Sequence, residues 1–299
     1  MPFIAFHLAL GLVFVTGLSW AWVLVAAISY LVRMFAVSAG YHRYFSHRAF
    51  RTSRLFQFVL AWAAQMSAQR GVLWWASHHR LHHKYADTSR DVHSASRGFW
   101  WAHAGWLLSS RHAATNYDSI KEYSRFPELM WLNEHPLVPS LSGLLLAWYF
   151  GGLPGVVWAC VVPTVLVWHA SFAINSLGHR FGSRRYLTAD TSRNNGLLAL
   201  LTCGDGWHNN HHAAPNAANL GWFWWELDLT FYGLKALSWL GVVRDLRLAR
   251  PEAKYAFREY TDEQRQQLKA GGIAPANAPL PTPESRPAIG FDDSGLLKR

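Results

Sequence analysis

The sequence predicts an all-α integral membrane protein, with four transmembrane helices in two hairpins and histidine-rich hydrophilic segments gathered on one face. Two charge-poor stretches, a one-sided distribution of basic residues and sixteen histidines predict it. From Phe3 to Ala39 the only Asp, Glu, Lys or Arg is Arg33, and from Leu137 to Asn175 there is none. A bilayer crossing takes roughly 20 apolar residues, so each stretch accommodates two short or tilted spans.

The first hairpin covers about 3–39 and turns near Gly17-Leu18-Ser19. The second covers about 137–175 and turns at Gly151-Gly152-Leu153-Pro154, where glycine and proline reverse a chain between apolar segments. A soluble helical core rarely tolerates apolar runs this long. The start Met1-Pro2-Phe3-Ile4 lacks the basic region of a cleavable leader. Neither turn contains Lys or Arg, whereas 40–135 and everything after 176 are arginine-rich, so the positive-inside rule assigns both hydrophilic parts and both termini to the cytoplasm. In a bacterium this is a multi-pass inner-membrane protein. The same rule accounts for most of the net charge, 28 basic against 18 acidic residues for +10; no nucleic-acid-binding motif accompanies it.

Composition narrows the class further. Only 15% of the 299 residues are charged, against about 25% in ordinary soluble domains, and the 17 Trp, 17 Phe and 11 Tyr exclude a chain disordered throughout. Cys160 and Cys203 offer neither a disulfide framework nor a CxxC thiolate site. The apolar segments Leu55–Ala64, 98–108 and 220–243 read as helices at the membrane interface or as core of a cytoplasmic cap. The membrane domain is placed at 1–250, with the cap at 40–135 and 176–250. A tail follows at 251–299, its last 25 or so residues expected to be disordered from their Pro, Ala, Gly and Ser content.

Nine of the sixteen histidines fall in four clusters just past hydrophobic segments. His42 and His47 follow the second span; on an α-helix their rings point about 140° apart, so the helix must end between them to aim both at one metal, Gly40 and Ser46 being the candidate breaks. His79, His82 and His83 stand at i, i+3 and i+4, on one helical face. His208, His211 and His212 repeat that spacing, and Asn175 and His179 form an i, i+4 pair at the end of the fourth span. Nine imidazoles exceed the four ligands of a zinc site and suit two metals. Imidazole suits Zn, Cu, Fe or Ni, and a membrane-boundary site facing hydrocarbon, whose C–H bonds need an oxidant, points to two iron ions. His7, His78, His93, His103, His112, His135 and His169 lie outside the clusters and read as hydrogen-bonded core or surface groups.

The boxes HRYFSH, HHRLHH, NSLGH and GDGWHNNHH, with the connecting residues Gly40-Tyr41-His42-Arg43, Arg97-Gly98-Phe99-Trp100-Trp101 and Ser192-Arg193-Asn194, resemble the membrane fatty acid desaturase family. The likeness is closest to the acyl-CoA Δ9, stearoyl-CoA type, branch and its bacterial relatives, and runs from about 30 to 250. It implies four transmembrane helices under a cytoplasmic helical cap holding a His-rich di-iron centre. The implied ligands are His42, His47, His79, His82, His83, His179, His208, His211 and His212, with Asn175 reaching one metal through water. Asp87, Asp91 and Asp205, the acidic residues nearest the boxes, are candidates to orient the ring nitrogens. Two positions depart from the family pattern: Asp205 stands where Glu is common, and Asp91-Val92-His93 where Asp-Pro-His is frequent.

The activity implied is O2-dependent insertion of a cis double bond into a saturated acyl chain held in a narrow bent tunnel, as acyl-CoA or another acyl substrate. With no haem-ligand pattern in the tail, electrons come from a separate donor: a ferredoxin, a cytochrome b5-like protein or a reductase. Arg43, Arg80, Arg184 and Arg185 are candidates for a CoA phosphate or an acidic carrier. The substrate-binding residues are not readable from the sequence. An acyl or alkane hydroxylase of the same metal class is the nearest alternative. A membrane metal transporter or zinc protein is a remote one, since its ligands belong midway through the spans.

Overall fold

Residues 2–272 are described by the computed structural model, and the expected disorder of the last 25 or so residues lies outside them. The fold is helical, and among the described residues its only sheet is a two-residue antiparallel clip between β1 (Arg51–Thr52) and β2 (Val243–Arg244). Helix α1 covers Phe3–Thr16 and α2 covers Trp20–Ser46. Between them Gly17 takes φ 70°, and Ser19 caps α2 by accepting from Trp22 N. A second apolar helical stretch, Val138–Ser176, is interrupted at Gly152, with φ 56° and ψ −147°. A Cβ on Gly155 would stand 2.3 Å from the Ala147 carbonyl oxygen. Residues eight apart on a straight helix are about 12 Å apart, so the chain reverses here, at the predicted turn. We call the arms α7 (138–151) and α8 (153–176).

Side-chain contacts set the direction of all four segments. Ser29 and Arg33 of α2 reach the Ala159 carbonyl, and Arg33 also reaches Thr164, so α2 and α8 run parallel. Phe3 packs on Trp168 while Leu12 and Val13 pack beside Trp158, making α1 antiparallel to α8. Ser140 of α7 bonds to the Gln65 carbonyl at one end, and Gly151 meets Trp22 at the other. Both reversals therefore lie at one end of a four-segment bundle, and the histidine boxes at the other. Trp20–Ser46 and Val138–Ser176 are long and apolar enough to cross a membrane; α1, at 14 residues, is shorter.

Around the histidine end lie α3 (Arg54–Gln65), α4 (Val72–Tyr85), α5 (the helical segment 99–108), α6 (Pro127–Glu134) and the short helices α9 (Gly196–Leu201), α10 (His208–Ala213) and α11 (Leu229–Trp239). The predicted interface segments split between roles. Helix α3 buries Leu60, Ala61 and Ala64 against α2 while exposing Leu55. Trp106, Leu107 and Trp222 are buried, whereas Trp100, Trp224 and Trp239 are exposed. The first part of the tail is folded: α12 (Pro251–Tyr255) and α13 (Asp262–Lys269) follow the cap, and the Tyr186 hydroxyl donates to the Lys254 carbonyl.

Candidate metal centre

The site is built from helix ends. Residues Val37–Ser46 of α2 form a π-helix. Its i→i+5 hydrogen bonding brings residues five apart close to one turn, and such widened turns cluster at functional sites. The His42 and His47 rings consequently sit 5.1 Å apart instead of diverging. The expected break at Gly40 is corrected: the helix widens and ends at Ser46, and Gly40 is where the Leu60 carbonyl of α3 approaches, 3.2 Å from where a Cβ would stand. Helix α4 starts without a side-chain cap of its own. Its free N–H groups are taken by the Gln65 and Asn133 side-chain oxygens, at 2.9 Å from Val72 N and 2.8 Å from Trp74 N, which fixes how the helix presents its histidines.

Glycines tighten the approach to α10. A Cβ on Gly206 would stand 2.0 Å from Ala199 N, and Gly204, at φ 126°, would put one 2.3 Å from Asp228. No larger residue fits either place, and Asp205 between them is aimed at His42. The two asparagines of the GDGWHNNHH box are fully buried staples. Asn209 accepts from Arg185 N and Tyr186 N, and Asn210 donates to Glu226 and the Leu220 carbonyl.

The nine clustered histidines meet in two groups. His42, His47, His79, His83 and His211 form one; His82, His179, His208 and His212 form the other. Each HxxHH triplet is divided between them. His79 and His83, one turn apart on α4, face the first group while His82 faces the second; on α10, His208 and His212 face the second while His211 faces the first. The expectation that the spacing of each triplet aims all three rings at one cavity is corrected: the shared helical face looks into both groups.

In the first group the contacts are Nε2 to Nε2: His42–His211 2.9 Å, His211–His83 2.8 Å, His83–His79 3.1 Å and His79–His47 2.8 Å. A ring nitrogen carries either one proton or one lone pair. The nitrogens of His211, His83 and His79 each have two such neighbours, so the chain cannot be satisfied by hydrogen bonds. In the second group His179 and His208 approach at 3.0 Å through Nε2, and the buried Nε2 atoms of His82 and His212 have no hydrogen-bond partner. With metal–nitrogen bonds near 2.1 Å, right-angle coordination places neighbouring donors about 3.0 Å apart and tetrahedral coordination about 3.4 Å. The observed spacing matches the former, and structural zinc is almost always tetrahedral.

Carboxylates hold the far side of the rings. Asp91 accepts from His82 Nδ1 at 3.0 Å, Asp87 from His179 Nδ1 at 3.1 Å, and Asp205 lies 3.3 Å from His42 Nδ1. The three acidic residues singled out in the sequence all touch a clustered histidine. A fourth escaped it: Asp190 accepts from His212 Nδ1 at 2.7 Å and is itself held by Thr188 and Ser192. It stands in an irregular loop 18 residues before His208, where no spacing rule reaches. Four carboxylates would offset the charge of two divalent ions, and such partners fix ring tautomer and raise ligand basicity.

Protonation follows from these surroundings. Burial, reinforced by neighbouring imidazoles, pushes His47, His79, His83, His208 and His211 well below the ordinary histidine range, so they are neutral, the form that binds metal. Burial lowers His82 too, but Asp91 outweighs it and carries the ring upward. Burial works against ionisation of Asp87 and Asp205, yet their histidine partners bring both carboxyls down to about 2.

The candidate anion-binding arginines are otherwise engaged. Arg43 is 1% exposed, paired with Asp228 at 2.9 Å and with Asp205 at 3.2 Å. Arg80 binds the Phe45, Ser46 and Ser119 carbonyls and Glu122. Arg184 binds carbonyls at Gly272 and Asp190, and Arg185 pairs with Glu226. Asn175 lines a cavity of about 40 Å³ that also reaches His79. Among the unclustered histidines, His78 and His135 bond to backbone carbonyls as expected. His93 packs 4.2 Å from the His82 ring beside Asp91.

Two converging sets of imidazole nitrogens at the end of a helical bundle form a candidate paired metal centre. Comparison with known proteins gives the family: the fatty acid desaturase model matches residues 17–240, and the chain belongs to that family. It is 38% identical to an acyl-CoA C20 Δ5-desaturase of Anemone leveillei, over 72% of this chain and 70% of that protein. It is 36% identical to an sn-1 stearoyl-lipid 9-desaturase of Synechocystis, over 85% and 80%. An sn-2 palmitoyl-lipid 9-desaturase of Nostoc is 33% identical over 83% and 88%.

Proposed function

We propose that this desaturase inserts a cis double bond at the Δ9 position of a saturated acyl chain. The observation that carries the reading is the division of nine histidines into groups of five and four with donor spacings near 3 Å. His42, His47, His79, His83 and His211 would hold one iron ion, and His82, His179, His208 and His212 the other, with Asn175 reaching a metal through water. When bound, the two ions supply the O2-dependent removal of two hydrogens from adjacent methylenes. The chain's own part is positioning: the aspartates fix the rings, and the buried cap keeps water from the reacting carbons.

The four helical segments are read as transmembrane, with the metal end and both termini cytoplasmic, because basic residues are absent from both reversals. A separate reduced carrier provides two electrons. The acyl carrier implied by the sequence resemblance is CoA. A glycerolipid ester is the second reading, favoured because Arg43, Arg80, Arg184 and Arg185 are spent on internal partners.

The test is the fatty-acid profile of a host expressing the intact chain, against one expressing the His211→Ala, His212→Ala double variant, with double bonds located by mass spectrometry. A new Δ9 monounsaturated acid requiring the intact histidines is expected. A double bond elsewhere overturns the position, and a hydroxy acid overturns the reaction. Assay with purified acyl-CoA and with glycerolipid then separates the two carriers.

A further inference from the structure

Three histidines outside the metal centre, from three separate segments, are joined in a line. His7 of α1 and His169 of α8 approach through their Nε2 atoms at 2.9 Å. His169 Nδ1 meets His103 Nε2 at 2.9 Å, and His103 Nδ1 meets the Ser176 hydroxyl at 2.9 Å. The outer end is fixed by His7 Nδ1, 2.8 Å from the Phe3 carbonyl. The inner end is fully buried: Ser176 is 0% exposed. Its neighbour Asn175 opens onto the cavity that reaches His79, which has room for a water molecule.

The polarity of this line follows from its ends. A carbonyl only accepts, so His7 carries its proton on Nδ1 and accepts at Nε2. His169 then donates from Nε2 and accepts at Nδ1, His103 does the same, and the Ser176 hydroxyl donates to His103. Every ring is neutral and every bond is made. With one more proton the line is equally complete in reverse. His7 donates from both nitrogens, His169 and His103 donate from Nδ1, and the Ser176 hydroxyl turns to the Phe172 carbonyl, 3.2 Å away. Passing from the second arrangement to the first shifts each shared proton one bond toward Ser176 and releases one proton there, without rotation of any ring.

We propose that Ser176, His103, His169 and His7 form a proton relay between the edge of the bundle and the metal centre. This rests on the desaturase reading, whose overall reaction is R–CH2–CH2–R′ + O2 + 2 e− + 2 H+ → R–CH=CH–R′ + 2 H2O. Two C–H bonds and the O–O bond break, and a carbon–carbon π bond and four O–H bonds form. The hydrocarbon gives up two electrons and O2 takes four, the other two arriving from the external reduced carrier. Two protons must come from solvent to a centre shielded by its buried cap. His7, about 6 Å along α1 from its first residue, stands at the histidine end of the bundle and is half-buried, which gives the line its outer terminus at the cytoplasmic membrane surface.

The test has two arms on the full-length protein in lipid nanodiscs. In the first, ring-¹⁵N histidine spectra of protein loaded with diamagnetic zinc are recorded at pH 8 and assigned by loss of signal in the His7→Gln, His103→Gln and His169→Gln variants. The Nδ1–H tautomer is expected at His7 and the Nε2–H tautomer at His103 and His169. Any other neutral set overturns the line. In the second, turnover of the iron-loaded His7→Ala variant is expected to fall about a hundredfold, with a larger solvent isotope effect, unchanged iron content and recovery with added imidazole. His169→Gln gives the same loss should His7→Ala fold poorly. Wild-type turnover and isotope effect in both variants overturn the relay. An intact protein that makes no unsaturated product overturns the functional reading instead, while the tautomers still decide whether the line exists.

Discussion

The two histidine groups differ in how they are held. In the four-histidine group, His82, His179 and His212 each donate Nδ1 to a carboxylate: Asp91, Asp87 and Asp190. In the five-histidine group only His42 has one, at 3.3 Å, and its Asp205 is shared with Ser38 and Arg43. The remaining rings of that group are fixed by one another. His42, His47 and His83 each lie edge-on to other members at centroid distances of 4.3 to 5.1 Å. One group therefore has fewer nitrogens with negative charge behind them, the other more nitrogens with little. A divalent ion at the carboxylate-backed group would gain Coulombic support and more basic ligands; at the other it would depend on ligand number.

The largest effect expected is loss of a ring from either group. His83→Ala and His82→Ala alter neighbouring residues that serve different groups, and each should abolish activity and reduce bound iron from two to about one per chain by elemental analysis. Equal loss of both ions from each variant would make the centre one cooperative site and break the comparison.

Acid sensitivity of the metal-free protein comes next. His47, His79, His83, His208 and His211 are neutral when folded, because burial lowers them. Unfolded, they take up protons below about pH 6.5. The unfolded state then binds more protons, so stability falls as pH drops through that value and is retained above it, at about 1.4 kcal/mol per pH unit for each proton. Four of these five rings belong to the five-histidine group, so that region should open first. Hydrogen exchange on α4 and the end of α2, measured from pH 8 to pH 5, checks it; protection independent of pH over that range would contradict it.

Asp228→Ala should cost about 3–5 kcal/mol, because it leaves the buried Arg43 guanidinium without its closest carboxylate. Arg43 would then draw Asp205 away from His42, so the five-histidine group alone should lose metal affinity. Thermal unfolding and metal titration separate the two consequences. The smallest effects sharpen the comparison most finely. Asp190→Asn should weaken metal binding at the four-histidine group by about 10–100-fold, and Asp205→Asn should do less at the other, its contact with His42 being longer. Equal affinities in the two variants would remove the proposed distinction.

Much of this was legible from residue order. Charge-poor stretches and glycine-containing turns located both reversals, and all nine clustered histidines converge. The division into five and four was not legible, since helical spacing says which residues share a face but not that one face looks into two pockets at once. The widened turn at Val37–Ser46 has no sequence rule, and without it His42 and His47 diverge. Asp190 and the Asn209 and Asn210 staples depend on loop geometry set by residues far away in the chain. The arginines misled because the sequence records their charge and not their partners; Arg43 is buried against an aspartate 185 residues on. His7, His103 and His169 have no mutual spacing, and only the packing of α1, α8 and segment 99–108 brings them into line.

The most direct test of the account is an anomalous-scattering map, at the iron edge, of the iron-loaded full-length protein. Two peaks are predicted, one about 2.1 Å from Nε2 atoms of His42, His47, His79, His83 and His211, the other at that distance from His82, His179, His208 and His212. A single peak, or a peak ligated by both His82 and His83, would contradict it.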